Sequence, residues 1–366
     1  MRIAQVAPLY ESVPPKMYGG TERVVSWLTE ELVSLGHEVT LFASGDSMTA
    51  ARLVPVCPES LRLSPECVDQ LAHHMLLLEH VLRLKDEFDF IHFHIDYLHF
   101  ALSRRERYFH LTTLHGRLDI PDLVSLYKMY PEMPVTSISD AQREPLPHLN
   151  WQGTVHHGLP VDNYKFHRRA GDYLAFLGRT SPEKGLDRAI EIAKTAGIPL
   201  KIGAKIDKVD QEYFDTVIAP LLKTSDVEFV GEIGYPEKND FLGNAMALLF
   251  PISWPEPFGI VMIEAMACGT PVIAYPFGSV PEVILDGVSG FIVSDQTSAV
   301  EAIKNIHKIE RKAVRKHFEQ RFTADRMALD YLKIYERMLN RKKVPLTASS
   351  GVLNWMKLPS PSSSTT

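Results

Sequence analysis

The sequence predicts an α/β protein with two doubly wound units, each a parallel sheet wrapped by helices, facing each other across a cleft. Its 366 residues exceed the length at which one hydrophobic core usually keeps growing, so two domains are expected. Apolar strand-like segments alternate with amphipathic helical segments in the first half, and the same alternation restarts after residue 172. Such sheets bind ligands at the carboxyl ends of their strands, so the cleft is the expected site.

The first unit is predicted to span residues 1–165. RIAQVA reads as a strand, and TERVVSWLTEELVSLG carries apolar residues at helical spacing until Gly36 ends the pattern. EVTLFA is a second strand and LAHHMLLLEHVLRL an amphipathic helix. The strands FIHFH, LTTLH and VTSIS follow.

The second unit is predicted to span residues 166–321. LAFLG (174–178) begins it as a strand, followed by the helix PEKGLDRAIEIAKTAG and the strands PLKIGA, VEFVG and AMALLFPI. A helix running from Ile260 to Cys268 and the strand TPVIAY complete it. Residues 322–340 are predicted to form a closing helix with an apolar stripe through Leu332, Tyr335 and Leu339. The tail 341–366 is rich in Ser, Thr and Pro, which predicts disorder.

Composition narrows the class of protein. Hydrophobic residues at 45% and charged residues at 23% are ordinary for a soluble enzyme, and no apolar run approaches the roughly 18 residues of a membrane span. The N-terminus lacks the features of a secretion signal. Cys57, Cys67 and Cys268 have neither disulfide-framework nor zinc-ligand spacing, which suits a reducing compartment. We therefore expect a cytoplasmic protein with no metal site and at most peripheral membrane contact.

Charge is distributed unevenly between the two halves. Residues 1–165 carry 14 Lys plus Arg against 21 Asp plus Glu, a balance of −7, and the remainder carries 25 against 24, or +1. An acidic first half disfavours nucleic acid or anionic lipid as the main partner.

The first candidate site is YGGTER, where Gly19 and Gly20 directly precede a predicted helix. Glycine allows close backbone approach and a helix N-terminus favours an anion, so a phosphate or a sugar can sit there. The dinucleotide-binding spacing GxGxxG is absent. A turn that merely needs glycine explains the segment equally well.

The second candidate is LGRTSPEKGLDRA, at the end of the strand LAFLG. Ser181 resembles a helix cap, Pro182 lies near the first helical position, and Lys184 lies in the first turn. Arg179 and Lys184 together can neutralise a diphosphate leaving group without a metal. The alternative is a solvated Lys184 and an Arg179 paired to a neighbouring acid.

The third candidate is SWPEPFGIVMIEAMACGTPVIAY, in which Glu256 and Glu264 lie eight residues apart. The amides of Phe258, Gly259, Ile260 and Val261 are expected to face the cleft and bind phosphate oxygens. A separation of roughly 10 Å along the helix axis matches the reach from a transferred sugar to the ribose of its carrier. The alternative is a capping acid and an exposed helical Glu.

Histidine is concentrated in the first half, with 12 of the 15 in residues 1–165. His92 and His94 share one face of a strand, and His115 ends the strand LTTLH. A histidine at a strand end can orient or polarise a substrate hydroxyl. Only His115 is assigned a function here, and the spacings match no metal site.

The combination resembles glycosyltransferase family 4, the retaining enzymes with the GT-B fold. The resemblance extends from Met1 to about Leu339 and includes ten short motifs in order. These are YGGTERVV, FIHFH, TLHG, SISDAQR, VHHGLPVD, LGRTSPEKG, EFVGEI, EPFGIVMIEAMACGTPVIA, GSVPEVI and GVSGFIV. The resemblance implies two Rossmann-like domains, with the C-terminal helix crossing back to the first.

The resemblance also implies roles for the candidate residues. Arg179 and Lys184 match the diphosphate pair, Glu256 lies near the donor sugar, and Glu264 binds the ribose. His115 lies beside the reacting sugar. Gly19, Gly20 and the amides of residues 258–261 complete the donor site. The donor is a nucleotide sugar, with UDP favoured and GDP possible. The acceptor is a sugar, a lipid-linked sugar or a small molecule, and no cofactor or metal is implied.

Two departures from the family pattern stand out. HHGLPVD replaces the common N-G-[VI]-D and is expected to alter the interdomain floor without touching a proposed catalytic group. YPFGSVPEVI lacks a basic residue that many relatives carry, which affects one donor contact. The alternatives left open are another GT-B enzyme, such as a nucleotide-sugar epimerase or a sugar phosphorylase, and a non-catalytic nucleotide-sugar binder.

Overall fold

A computed structural model describes residues 1–17, 19–62, 64–223 and 226–341. The first unit is built on a seven-stranded parallel sheet with the order β3-β2-β1-β4-β5-β6-β7. Its strands are β1 (Arg2–Val6), β2 (Glu38–Ala43), β3 (Arg52–Pro55), β4 (Phe90–Phe93), β5 (His110–Thr113), β6 (Pro134–Ser137) and β7 (Asn150–Thr154).

The second unit is built on a six-stranded parallel sheet with the order β10-β9-β8-β11-β12-β13. Its strands are β8 (Leu174–Arg179), β9 (Leu200–Lys205), β10 (Val227–Gly231), β11 (Ala247–Phe250), β12 (Val272–Ala274) and β13 (Gly290–Ile292). In each sheet the strand order reverses beside the first strand, at β1–β4 and at β8–β11, which is where such sheets bind ligands. The predicted architecture of two doubly wound α/β units is confirmed.

Helices connect the strands in both units. Those assigned in the described ranges are α1 (Gly20–Ser34), α2 (Gln70–Leu84), α3 (Phe100–Ser103), α4 (Pro121–Met129), α5 (Leu186–Ala196), α6 (Gln211–Tyr213), α7 (Ala219–Leu222), α8 (Tyr235–Gly243), α9 (Ile260–Ala267), α10 (Val280–Val283), α11 (Gln296–Lys304), α12 (Arg311–Arg321) and α13 (Ala324–Arg341). None of the helices in these ranges is both long and apolar enough to cross a bilayer.

The helix predicted from Pro182 begins later in the structure. Residues Pro182–Lys184 form a single 3-10 turn, and Ser181 makes no side-chain cap. Gly185 then adopts the left-handed conformation at φ 73, and α5 starts at Leu186. A Cβ at Gly185 would lie 2.2 Å from the carbonyl oxygen of Pro251, so only glycine fits this turn. Lys184 therefore lies in the turn before the helix and not inside its first turn.

The closing helix α13 returns the chain to the first unit, as predicted. It packs against α1 and places the fully buried Tyr331 and Tyr335 under the first sheet. Phe90 of β4 stacks on Tyr335 with ring centroids 4.3 Å apart. The tail predicted as disordered, residues 341–366, lies outside the described residues except for Arg341, where α13 ends.

Candidate functional site

A cleft of about 550 Å³ lies at the carboxyl ends of the two sheets. Both units contribute to it through the loops that follow their central strands. All of the residues predicted to form the site border this one cleft: Gly19, Gly20, His115, Arg179, Lys184, Glu256, Phe258, Gly259, Ile260, Val261 and Glu264. A volume of this size is typical of a small-molecule site.

The glycine pair lies where the first unit approaches the second. A Cβ on Gly19 would lie 2.7 Å from Pro15 Cβ, and a Cβ on Gly20 would lie 3.7 Å from Ile260 Cδ1. Gly20 is the first residue of α1 and Ile260 the first residue of α9. The positive ends of two helices therefore meet at the cleft, an arrangement that favours an anion.

The start of α9 leaves backbone donors available. Gly259 precedes the helix in the left-handed conformation, at φ 76, and Phe258 is buried beside it. The first-turn amides of Ile260 and Val261 have no acceptor within their own helix. They border the cleft, where phosphate or hydroxyl oxygens can accept from them.

Lys184 and Glu256 form a hydrogen-bonded ion pair inside the cleft. Both side chains are largely buried, at 16% and 9% exposure. The Lys184 ammonium also lies 4.8 Å from the ring centroid of Trp254, a cation–π contact. The lysine predicted to hold a diphosphate is thus neutralised by the carboxylate predicted to face the sugar. Any anion that binds this ammonium has to compete with Glu256 for it.

Arg179 is surrounded by acids. Its guanidinium lies 2.9 Å from Glu183, 3.6 Å from Asp207 and 3.7 Å from Asp210. The alternative stated above, an arginine paired to a neighbouring acid, therefore describes Arg179 in this structure. Because Arg179 also borders the cleft, it can still contact an anion there.

Glu264 is buried, at 2% exposure, and does not fit the alternative of an exposed helical acid. Lys238 donates to its two carboxylate oxygens at 2.9 and 3.3 Å, and the Tyr164 hydroxyl donates at 3.0 Å. These donors hold the carboxylate at the cleft wall. Lys238 also borders the cleft, and it was not predicted because it lies 26 residues from Glu264 along the chain.

His115 contacts two further histidines. Its Nε2 lies 2.9 Å from His94 Nδ1, and its ring stacks on His157 with centroids 5.4 Å apart. His157 in turn packs edge-on against Phe258 at 4.8 Å. Burial lowers the pKa of His115 to about 3, so the ring is neutral at physiological pH. The expectation that VHHGLPVD touches no proposed catalytic group is therefore wrong, because His157 of this motif contacts His115.

Two acids of the first unit border the cleft without having been predicted. Burial raises the pKa of Glu22 to about 7 and that of Asp96 to about 6. Asp96 is the one non-glycine residue with positive φ in the described chain, at 49°, and its carboxylate accepts the His115 backbone N–H. The signals were present, since Glu22 lies in YGGTER and Asp96 follows FIHFH. In these two motifs, however, only glycines and histidines were predicted to matter.

Two family models match consecutive parts of the chain. The model "Glycosyltransferase Family 4" matches residues 18–175, and the model "Glycosyl transferases group 1" matches residues 165–322. The matches therefore include every residue that we assigned to the site.

Individual relatives agree with these models. The O-antigen chain mannosyltransferase C of Escherichia coli is 24% identical over 92% of this chain and 100% of its own. The D-inositol 3-phosphate glycosyltransferase of Mycolicibacterium smegmatis is 35% identical over 37% of this chain and 30% of its own. The chain spans less than half the length of several curated relatives that it matches.

A solved structure shows the same fold. HepE of Anabaena, in complex with UDP and glucose, superposes with a TM-score of 0.72 at 17% identity, covering 92% of this chain and all of the other. At this identity the likeness establishes the fold alone.

Proposed function

This chain belongs to glycosyltransferase family 4, and from that premise we propose that it transfers a hexosyl group from a nucleotide-diphosphate sugar to a hydroxyl acceptor with retention of anomeric configuration. The observation that carries the proposal is the Lys184–Glu256 pair. In this pair a cation lies beside a carboxylate, next to the first-turn amides of α9, which supports a phosphate role for the cation and a sugar role for the carboxylate.

The leaving group is stabilised by fixed positive groups. Lys184, Arg179 and the first-turn amides of α9 border one part of the cleft, and Lys205 and Lys238 lie on the same unit. When the bond between the anomeric carbon and the phosphate oxygen breaks, negative charge grows on the diphosphate. Preorganised cations and amides stabilise that charge, so the reaction proceeds without a metal.

The sugar lies between the two units. Glu256 reaches it from the second unit and His115 from the first, and both border the cleft. Diphosphate binding to Lys184 releases Glu256 from its ion pair, which frees the carboxylate for sugar hydroxyls. Glu264, held by Lys238 and Tyr164, accepts hydrogen bonds from the ribose hydroxyls. The acceptor oxygen forms the new bond to the anomeric carbon as the bond to the diphosphate breaks, and its proton passes to the departing diphosphate oxygen.

We favour a UDP-sugar as the donor, with a GDP-sugar as the alternative. HepE, which shares the fold, was solved with UDP and glucose. The relatives include a mannosyltransferase and an inositol-phosphate glycosyltransferase. More than one class of acceptor should therefore be tested. A sugar, a lipid-linked sugar or a small metabolite is expected to serve.

The test is a panel of UDP-, GDP- and ADP-sugars. A ligand that binds only the folded state raises the melting temperature, and a concentration of 100 times Kd contributes about 2.7 kcal/mol. One donor is expected to raise Tm and to be slowly hydrolysed to the free sugar and nucleoside diphosphate. Stabilisation without hydrolysis or transfer would indicate a binding protein, and epimerised sugar would indicate an epimerase. No effect from any donor would contradict the proposal.

A further inference from the structure

Buried polar side chains form a continuous series of hydrogen bonds beneath His115. His115 Nε2 lies 2.9 Å from His94 Nδ1, and His94 Nε2 lies 2.8 Å from Gln5 Oε1. Gln5 Nε2 lies 3.5 Å from the Tyr335 hydroxyl on the closing helix. His94 is 3% exposed, and Gln5 and Tyr335 are fully buried. These groups therefore rely on one another for hydrogen-bond partners.

The series continues to a second buried histidine. The Tyr335 hydroxyl lies 2.7 Å from His92 Nδ1, and His92 Nε2 lies 2.8 Å from Thr113 Oγ1. Thr113 then donates to the Tyr331 hydroxyl at 2.9 Å. Burial keeps the pKa values of the histidines in the series well below the usual value, so their rings are neutral.

A neutral imidazole has one donor nitrogen and one acceptor nitrogen. The hydrogen bonds of the series therefore all run the same way, each group accepting from one neighbour and donating to the next. Gln5 Oε1 can only accept, which places the proton of His94 on Nε2. His94 Nδ1 is then an acceptor, and the Nε2–H of His115 must donate to it. His115 Nδ1, on the other side of the ring, keeps its lone pair.

The same direction satisfies the rest of the series. The amide nitrogen of Gln5 donates to the Tyr335 oxygen, and the Tyr335 hydroxyl is free to donate to His92 Nδ1. His92 Nε2–H then donates to Thr113, whose own proton goes to Tyr331. Every group in this run has a partner of the correct type. The orientation of one amide, that of Gln5, sets the order of all the protons.

We propose that His94 and Gln5 are positioning residues that hold His115 as the Nε2–H tautomer, so that its Nδ1 acts as a hydrogen-bond acceptor at the cleft. This proposal rests on the proposed function for its consequence: the ring accepts a hydrogen bond from a donor-sugar hydroxyl and presents no charge to the sugar. A donor whose contacted hydroxyl is replaced by fluorine loses this bond, because fluorine cannot donate. If the proton were on Nδ1, such a donor would keep its contact.

The direct test is a two-bond ¹H–¹⁵N correlation spectrum of the ligand-free protein labelled with ¹⁵N-histidine. The His115 signals are assigned by their loss in His115→Asn. Between pH 5 and pH 8 they are expected to show the neutral Nε2–H tautomer. The Nδ1–H tautomer, a mixture of the two in the wild type, or a protonated ring at pH 6 would overturn the proposal.

A matched pair of variants tests the role of Gln5. Gln5→Met keeps the size of the side chain and removes both of its hydrogen bonds. We expect a mixture of His115 tautomers and about a tenfold loss in kcat for donor hydrolysis, with KM nearly unchanged. Gln152→Met is the control, because Gln152 is also buried in the first sheet but bonds to Asn150, outside the series. A Gln5→Met spectrum identical to that of the wild type would remove Gln5 from the proposal.

The two proposals fail separately. The tautomer is observed without any nucleotide sugar, so the expected spectrum combined with an absence of hydrolysis would contradict only the proposed function. Hydrolysis combined with the reversed tautomer would contradict only this inference. If Gln5→Met does not fold, the wild-type spectrum still decides whether the proton of His115 is on Nε2 or on Nδ1.

Discussion

Individual charged residues in the cleft are held in pairs before any ligand arrives. Lys184 is bonded to Glu256, Lys238 to Glu264, and Arg179 to Glu183. A buried charge without a partner is costly, so these carboxylates give the cleft cations a partner in the ligand-free protein. In the proposed function, donor binding is an exchange of partners in which phosphate replaces the carboxylate at Lys184.

Replacing Lys184 with alanine is expected to weaken donor binding by about 10- to 100-fold. The variant removes a charge-assisted contact to the diphosphate, worth about 1.5–3 kcal/mol, and it leaves Glu256 buried beside the phosphate. Titration calorimetry with the matched nucleoside diphosphate measures the change. Lys194→Ala, an exposed lysine of α5, is the control and should bind as the wild type does. Equal affinities for both variants would exclude Lys184 from the site.

The raised pKa of Glu22 makes the free energy of unfolding depend on pH. Its pKa rises from 4.5 to about 7 on folding because of burial, so the folded state binds more protons than the unfolded state between these values. Stability is therefore lost as pH rises from about 4.5 to 7. Glu22→Gln removes this penalty and should raise the free energy of unfolding at pH 8 by up to about 3 kcal/mol, with little effect at pH 4.5.

Urea denaturation at both pH values measures the effect of Glu22→Gln. Glu38 is an exposed acid at the start of β2. Glu38→Gln should therefore change the free energy of unfolding little at either pH. Equal effects of Glu22→Gln at both pH values would contradict this account.

Among the elements, the strands missed by sequence reasoning share one physical feature. β3, β7 and β13 all lie at the edge of a sheet. An edge strand buries less of its surface, and RLVP and NWQGT accordingly lack the apolar run that marked β1 or β11. The central strands, whose ends carry His115 and Arg179, were predicted because burial on both faces demands apolar sequence. Side chains that reach the site from distant elements, such as Lys238, are not marked by an apolar run in the sequence and were not predicted.

The turn before α5 requires glycine at position 185. Gly185→Ala must adopt positive φ and also meets the carbonyl of Pro251. Gly36→Ala has the same left-handed cost, about 1–2 kcal/mol, but nothing lies within 4 Å of its Cβ. Gly185→Ala is expected to lower Tm more than Gly36→Ala and, alone of the two, to weaken nucleotide binding by displacing Lys184. Thermal melts with and without UDP make the comparison. Equal losses of Tm and of UDP stabilisation in the two variants would show that the contact with the Pro251 carbonyl does not constrain this turn.

Across the whole molecule, Glu282 of α10 joins the two units. Its carboxylate accepts from the amides of Asp140 and Ala141 at 2.8 and 2.7 Å and lies 3.1 Å from His156 Nε2. The three donors belong to the first unit, whereas Glu282 belongs to the second. The cleft exists only while the units face each other, so this contact supports the cleft without bordering it.

Glu282→Leu is expected to loosen the arrangement of the two units. The radius of gyration from small-angle scattering should increase in the ligand-free protein, and donor affinity should fall by about tenfold, or 1.4 kcal/mol. Glu301→Leu on α11 is the matched control, because that acid is exposed and bonds only within its own unit. If Glu282→Leu had the radius of gyration and the donor affinity of the wild type, the contact that holds the two units together would lie elsewhere.

In the proposed function, Glu256 acts on the transferred sugar while Lys184 and the α9 amides hold the diphosphate. The most direct measurement is the rate of nucleoside-diphosphate release from the donor selected by the panel, compared between the wild type and Glu256→Gln at matched occupancy. Release is expected to fall at least 100-fold, with the affinity for the free nucleoside diphosphate kept or increased, because the Glu256 charge no longer competes for Lys184. Unchanged release, or a loss of nucleotide affinity as large as the loss of rate, would contradict the account.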